Sequence, residues 1–323
     1  MKASASENEI IGRIAKVFPN YRSRTVALAL GDDAAVWRPR TGYDVVLTCD
    51  WFLEGSHFLR DQHPADAVGW KCLARAVSDI AAMGGVPRCF LLSMALPPIL
   101  TGKWLDAFLQ GLKRAATELR CELAGGDTTR QEKVLINLTV VGEVGRGRAL
   151  RRSGARAGDS LFVSGRLGEA DAGLDELRRR KGVVRASNEK LRKHLYPEPR
   201  LVLGEWLGKQ QLATAAMDLS DGLSTDLPRL CAASGVGARV DVDSLPVVRD
   251  LNVARARELA LHGGDDYELL FTVARKDVKQ VPRALGGVKL TRIGEITREK
   301  RIVAVESGKS RKLEPGGWDP FRR

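Results

Sequence analysis

The chain has 323 residues, 44% of them hydrophobic and 28% charged, and carries a formal net charge of +12. That composition suits two globular domains, each with its own core, and excludes a disordered chain. No apolar stretch nears the roughly 20 residues needed to cross a bilayer, and the N-terminal MKASASENEIIG has no apolar signal region.

Five scattered cysteines (Cys49, Cys72, Cys89, Cys121 and Cys231) form no CxxC pair. This argues against zinc and against a disulfide framework, so a reducing, cytoplasmic setting is expected.

Residues 7–17 carry apolar positions at helical spacing and are followed by the break Pro19-Asn20. Strands are expected at 26–30 (VALAL) and 44–50 (DVVLTCD). A long helix follows from about Pro64 to Met83. Val68, Cys72, Ala76 and Ile80 line one face with Leu73 and Val77 beside them, and Lys71, Arg75, Ser78 and Asp79 share the other. Gly84-Gly85 stops it. A strand at 88–96, a helix at about 103–120 and strands near 121–124 and 134–144 complete a first domain. The Gly- and Arg-rich segment 142–160 is the boundary candidate, which gives domains 1–148 and 149–323. Beyond it lie a strand at 161–165, helical stretches at 169–181 and 186–194, and a short buried strand or element at 212–218. A helix runs from Asp221-Gly222 to about Ala233, and strands at 238–242 and 268–274 frame a Gly263-Gly264 turn. The fold class is α+β in two domains.

The excess positive charge sits at Arg146, Arg148, Arg151, Arg152 and Arg156, and again from Arg178 to Lys193. No aromatic residues alternate with these bases, as a single-strand stacking platform requires. A solvated basic surface that attracts anionic metabolites is the stronger reading, and no nucleic acid or membrane partner is expected.

Six short aspartate motifs stand at expected strand ends or turns. They are Gly31-Asp32-Asp33, Thr48-Cys49-Asp50, Ser78-Asp79, Gly125-Gly126-Asp127, Asp218-Leu219-Ser220-Asp221-Gly222 and Gly263-Gly264-Asp265-Asp266. Any one of them is accounted for by turn or N-cap chemistry. Together they point to Mg²⁺ and phosphate, because carboxylates are hard oxygen ligands and small neighbours let phosphate oxygens approach. The usual nucleotide signatures are missing: Gly102-Lys103 is followed by Trp104, and Gly145-Arg146-Gly147 by Arg148-Ala149-Leu150, so neither a P-loop nor a GxGxxG turn is present. No GxSxG, HExxH or HRD…DFG set occurs either.

The ordered strings GDDAAV (31–36), TCDWFLEGSHF (48–58), KCLARAVSDIAAMGGVP (71–87), GGDTTR (125–130), RRSGARAGDSLFVSGRLG (151–168), PEPR (197–200), MDLSDGLSTDL (217–227) and GGDDYELLFT (263–272) span nearly the whole chain. In that order they resemble the thiamine-monophosphate kinase family, within the superfamily of aminoimidazole-ribonucleotide synthetase and selenophosphate synthetase. The latter would need a reactive cysteine in the N-terminal segment, and residues 1–30 contain none.

The resemblance implies an aminoimidazole-ribonucleotide-synthetase-like fold. Its N-terminal mixed α/β domain would bind ATP and magnesium and dimerise through its sheet, and its C-terminal α+β sandwich would complete the site. It implies transfer of the γ-phosphoryl of ATP to thiamine monophosphate, with several Mg²⁺ ions as cofactors and a homodimer as the assembly.

By the same resemblance Asp33, Asp50, Asp79, Asp127 and Asp218 are magnesium ligands, with Thr48 and Cys49 as further oxygen donors and Asp221 as a further metal-linked position. Gly126, Asp127, Arg152 and Ser220 fall where the family contacts ATP. His57, Asp265 and Trp318 fall where it contacts thiamine monophosphate. No general base is expected. Two positions depart from the family pattern, in which Glu is usual at Asp265 and Thr at Cys49. The apolar run 90–96 is expected to be buried on both faces of its strand.

Overall fold

The computed structural model describes residues 5–18, 26–30, 32–184 and 188–321. The Pro19-Asn20 break, Gly31 and part of the helical stretch expected at 186–194 lie outside them. The chain divides into two compact units. One comprises residues 1–80, 86–146 and 177–188, and the other residues 81–85, 147–176 and 189–323. No helix among the described residues is long and apolar enough to cross a membrane.

The first unit opens with α1 (Glu7–Val17), started by a reciprocal capping box between Ser6 and Glu9. Short strands β1 (Val26–Leu28) and β2 (Val36–Trp37) pair with each other. The main sheet contains β3 (Tyr43–Leu53), β4 (Val86–Leu96), β5 (Glu122–Arg130) and β6 (Leu135–Gly145), in the order β3-β6-β4-β5. Helices α2 (Ala65–Ala82) and α3 (Lys103–Glu118) accompany it. Gly142 of β6 lies where a Cβ would meet the Ile80 side chain at 2.7 Å, so the sheet and α2 are in close contact.

Several expectations are corrected here. Lys71 and Ser78, on the polar side of the helix, are buried as fully as its apolar face. On a different side of α2, α3 approaches so closely that a Cβ at Gly69 would meet the Phe108 carbonyl oxygen at 2.1 Å. The strand expected near 121–124 runs on to Arg130 and takes in the Gly125-Gly126-Asp127 motif. Within the single chain the 90–96 run is buried on one face, and burial of the other would require a partner. Phe90, Leu92 and Met94 are buried, whereas Leu91 and Ser93 are exposed.

The second unit has an eight-stranded sheet. Its strands are β7 (Ser160–Ser164), β8 (Ala213–Leu219), β9 (Gly237–Asp241), β10 (Glu268–Val273), β11 (Ala284–Leu285), β12 (Val288–Thr297), β13 (Ile302–Glu306) and β14 (Lys309–Lys312). The order is β14-β13-β9-β12-β7-β10-β8, with β11 joined to β12. The helices are α4 (Glu169–Arg178), the short α5 (Arg192–Leu195), α6 (Leu201–Gln210), α7 (Leu223–Ser234) and α8 (Val253–His262).

Period-two alternation gives this sheet two cores. Leu161, Val163 and Leu270 pack with Leu223 and Leu227 of α7. Phe162, Leu269 and Phe271 pack with Leu203 and Leu207 of α6. The strands expected at 238–242 and 268–274 exist, but α8 intervenes before the Gly263-Gly264 segment. The helix expected over 186–194 is, in its described part, a 3₁₀ turn (Glu189–Leu191) followed by α5.

Candidate active site

In the first unit, strand pairing decides which motif residues share a face. Asp50 lies opposite Leu138, and Leu138 opposite Leu92; Thr48 lies opposite Val140, and Val140 opposite Phe90. Thr48 and Asp50 therefore point to the buried side of the sheet. There the Thr48 hydroxyl donates to Asp79 Oδ2 of α2 at 2.5 Å, fixing that carboxylate against β3.

Cys49, between them, points the other way by the same alternation. Its Sγ is exposed, 3.3 Å from Asn137 Oδ1. Its side chain therefore does not join those of Thr48 and Asp50. The thiols of Cys72, Cys89, Cys121 and Cys231 are pushed up by burial, so they are inert.

Asp127 follows Gly126 on β5, at the opposite side of the sheet from β3. The row Asp50–Leu138–Leu92–Gly126 crosses four strands. Three interstrand steps put roughly 14 Å between its ends. Gly126 is needed where it stands, because a Cβ there would meet the Leu92 carbonyl oxygen at 1.9 Å. Asp33 is exposed, and its backbone N–H donates to Asp32 Oδ1 at 2.9 Å.

His57 sits just beyond β3. Its Nδ1 accepts the Leu53 backbone N–H at 3.0 Å, and its ring lies 5.9 Å from that of Phe52. With Nδ1 occupied as an acceptor, the proton of a neutral ring resides on Nε2, which makes that edge a donor.

In the second unit the DLSDGL segment turns from β8 into α7. Asp226, in the first turn of α7, accepts the backbone N–H groups of Ser220 (3.1 Å) and Asp221 (2.9 Å) on Oδ2. Burial, and then the neighbouring Asp221 carboxylate, push the Asp226 carboxyl up to about 6. Arg229 opposes this by reaching both Asp226 Oδ1 (2.8 Å) and Asp221 Oδ2 (2.6 Å). Asp218 is buried at the end of β8.

The turn's two carbonyls are also engaged. Ser220 C=O accepts the Asp265 N–H at 2.8 Å, and Asp221 C=O accepts the Trp318 N–H at 2.9 Å. The chain leading to Trp318 is strapped onto α7, since Gly316 N–H donates to Ser224 Oγ and Gly317 N–H to Thr225 Oγ1. The Trp318 side chain stays 44% exposed, which rules out a buried packing plug. Arg152 is exposed, and its backbone carbonyl accepts the Ser234 hydroxyl at 2.9 Å.

The structure thus brings together Thr48, Asp50 and Asp79 in one unit, and Ser220, Asp221, Asp265 and Trp318 in the other. Among the described residues no three His, Cys, Asp or Glu side chains form a group able to hold a metal ion unaided. The donors are hard oxygens in ones and twos. That set fits Mg²⁺, which usually keeps waters and shares its shell with phosphate, and does not fit a closed protein cage.

Sequence reasoning missed Asp226, Arg229 and a buried pair near β10, in which Arg200 Nε donates to Glu268 Oε2 at 2.7 Å and Ser164 Oγ donates to the same oxygen at 2.5 Å. The PEPR and DYELL strings contain Arg200 and Glu268, but nothing local joins residues 68 apart.

Residues 31–144 match the family model described as AIR synthase related protein, N-terminal domain, and residues 156–306 match AIR synthase related protein, C-terminal domain. Over 319 residues the chain is 38% identical to thiamine-monophosphate kinase of Salmonella typhimurium, an alignment covering 95% of this chain and 97% of the relative. The crystal structure of thiamine-monophosphate kinase from Stenotrophomonas maltophilia is similar with a TM-score of 0.78 and 37% identity, over 94% of this chain and 95% of that one. AaThiL complexed with AMPPCP and TMP gives 0.76 and 35%, over 98% and 97%. With both family domains and a relative this similar along its whole length, the chain belongs to the thiamine-monophosphate kinase family, on an aminoimidazole-ribonucleotide-synthetase-like α+β fold.

Proposed function

We propose that the chain phosphorylates thiamine monophosphate with ATP, giving thiamine diphosphate and ADP. The observation that carries this reading is the pair of adjacent carbonyls at Ser220 and Asp221. They fasten Asp265 and Trp318 to the turn that bears the expected ATP- and metal-linked residues. A carboxylate and a half-exposed indole beside a phosphate-binding turn suit a ligand with a heteroaromatic ring at one end and a phosphate at the other.

The acceptor needs no general base. A phosphate monoester has its second pKa near ~6, so it is largely dianionic at neutral pH. One of its oxygens forms the new bond to the γ-phosphorus of ATP, while the bond to the β–γ bridging oxygen breaks and its electron pair leaves with ADP. What the reaction demands is in-line placement and neutralisation of crowded charge.

Magnesium, when bound, supplies that neutralisation. Several such ions are called for: Asp33, Asp50, Asp79 and Asp127 would serve as ligands in the first unit, with the Thr48 hydroxyl and the Cys49 carbonyl assisting, and Asp218 and Asp221 in the second. Arg152 offers paired N–H donors to the nucleotide phosphates. Ser220 has its backbone N–H and C=O committed, so its hydroxyl is what it offers ATP. Gly126 keeps the backbone beside Asp127 open. His57 presents Nε2–H to the substrate as a donor and takes no proton. Asp265 and Trp318 receive the thiamine ring system.

The chain acts as a homodimer through the open face of the first unit's sheet, where Val45, Leu47 and Trp51 of β3 and Leu91 of β4 are exposed apolar residues, with β6 between the two strands. Five free thiols suit the cytoplasm.

The test is incubation of the purified protein with ATP, Mg²⁺ and thiamine monophosphate, followed by chromatography. Thiamine diphosphate above the no-enzyme control is expected, and its absence would refute the assignment. Asp50→Asn should lower kcat by about 100-fold or more with an unchanged circular dichroism spectrum, since one carboxylate ligand to a charge-neutralising ion is lost. A near-normal kcat would remove Asp50 from the metal site.

A further inference from the structure

The segment carrying Asp265 is held in an uncommon backbone shape by buried supports. Asp265 and Tyr267 both adopt left-handed conformations, with φ of +66° and +51°, which residues bearing a Cβ rarely take. Between them Asp266 accepts the Gly168 N–H (2.6 Å) and the Ala170 N–H (3.2 Å), anchoring the segment to the start of α4.

Tyr267 is only 2% exposed, and its hydroxyl donates to Asp265 Oδ1 at 2.7 Å. On the other side, Nδ1 of His194, also 2% exposed, lies 4.0 Å from Asp265 Oδ2. The Asp265 side chain itself stays 28% exposed. A carboxylate open to solvent, with a buried polar group addressing each oxygen, is more than a turn requires. Strain of this kind persists only where the surroundings over-determine it, and it gathers at ligand-binding positions.

We propose that Tyr267 is a positioning residue for the thiamine end of the substrate, acting through Asp265. The inference rests on the assignment of Asp265 to that end. The recognised group is a heteroaromatic ring bearing an exocyclic amine, which a fixed carboxylate oxygen accepts from. An aspartate has one side-chain torsion fewer than the glutamate usual at this position, so less freedom is lost on ordering it. Its reach is also shorter, so its placement must come from the backbone and from a clamp. The left-handed turn supplies the first, and the Tyr267 hydroxyl supplies the second.

Steady-state kinetics on the full chain with ATP, Mg²⁺ and thiamine monophosphate tests this in wild type, Asp265→Ala, Tyr267→Phe and the double variant. Tyr267→Phe keeps the buried ring and deletes one hydroxyl, and a thermal melt verifies that it folds. Tyr267→Phe should raise KM for thiamine monophosphate about ten-fold, the loss of one charge-assisted hydrogen bond, with kcat and KM for ATP within about two-fold of wild type. In the Asp265→Ala background the same change should add less than about two-fold, because nothing is left to position. An unchanged KM in Tyr267→Phe overturns the proposal. So does an equal effect in both backgrounds, or a parallel rise in both KM values, each of which marks a structural role. If Asp265→Ala itself leaves KM for thiamine monophosphate unchanged, the assignment of Asp265 to the substrate fails first.

Discussion

Cys49 and Thr48 are neighbours in sequence and opposites in space, and they give the sharpest single-residue prediction. Thr is usual in the family at the position of Cys49, so the change could have removed a metal donor. The strand geometry separates the two side chains. Thr48 reaches Asp79 on the buried side, whereas the Cys49 thiol lies against Asn137 on the open side. Cys49→Ser should therefore leave kcat and the Mg²⁺ dependence within about two-fold of wild type. Thr48→Val, which keeps the β-branched shape and deletes the donor, should lower kcat about ten-fold and raise the Mg²⁺ concentration for half-maximal rate. A magnesium titration of both variants checks this. A Cys49→Ser defect as large as that of Thr48→Val would contradict the backbone-only role.

At the scale of elements, the buried Glu268–Arg200 pair joins β10 to the start of α6 and has no local signature in sequence. Glu268→Ala leaves the buried Arg200 guanidinium with only the half-exposed Glu198 carboxylate at 3.6 Å, and should cost about 3 kcal/mol in urea unfolding. Replacing both partners, as Arg200→Met with Glu268→Leu, should recover most of that loss, because the penalty lies in the uncompensated charge. A second element-scale device is the strap from Gly316 to Trp318. Its anchor, Ser224, contacts His262 Nδ1 at 2.8 Å.

Burial, and then Arg311, hold the His262 imidazole below the usual 6.5, with Glu258 pulling the other way. An unfolded chain then takes up the proton first on acidification. The stability contributed by neutral His262 is present above pH 6.5 and is lost as pH falls through and below that value. The slope is at most about 1.4 kcal/mol per pH unit, and His262→Gln should flatten it. Thermal melts between pH 5 and 8 check the sign, and a steeper acid loss in the variant would contradict it.

These features also show what the sequence could disclose. Strands β3, β4 and β6 and helices α1, α2 and α3 were legible because their apolar periodicity is strong and local. The aspartate motifs were legible as strings. Long-range closures left no such trace: α3 closing on Gly69 of α2, and Arg200 meeting Glu268. The Gly125-Gly126-Asp127 motif was read as a turn from its glycines. Gly126 is there instead for close passage of β4, inside a continuous strand.

For the molecule as a whole, the open face of the first unit's sheet carries the main prediction. The row Trp51–Asn137–Ser93–Asp127 runs across all four strands by register, next to the row Cys49–Thr139–Leu91. Leu47 is 67% exposed and Trp51 56%, beside Val45 and Leu91. Large exposed apolar side chains on one face of a sheet, set among small polar ones, are characteristic of an interface. Charge placed at its centre would have to be desolvated on association. Leu47→Asp should therefore give a monomer by sedimentation velocity at micromolar concentration, where the wild type should sediment as the proposed dimer. The substituted residue points away from Thr48, Asp50 and Asp79, so those contacts should survive and the monomer should keep its circular dichroism spectrum. Asp127 shares its row with Trp51, so loss of the partner leaves Gly126 and Asp127 bordered by solvent. kcat should then fall together with the dimer fraction as protein is diluted. A Leu47→Asp protein that still dimerises would move the interface to another surface. One that is monomeric and fully active would separate assembly from catalysis.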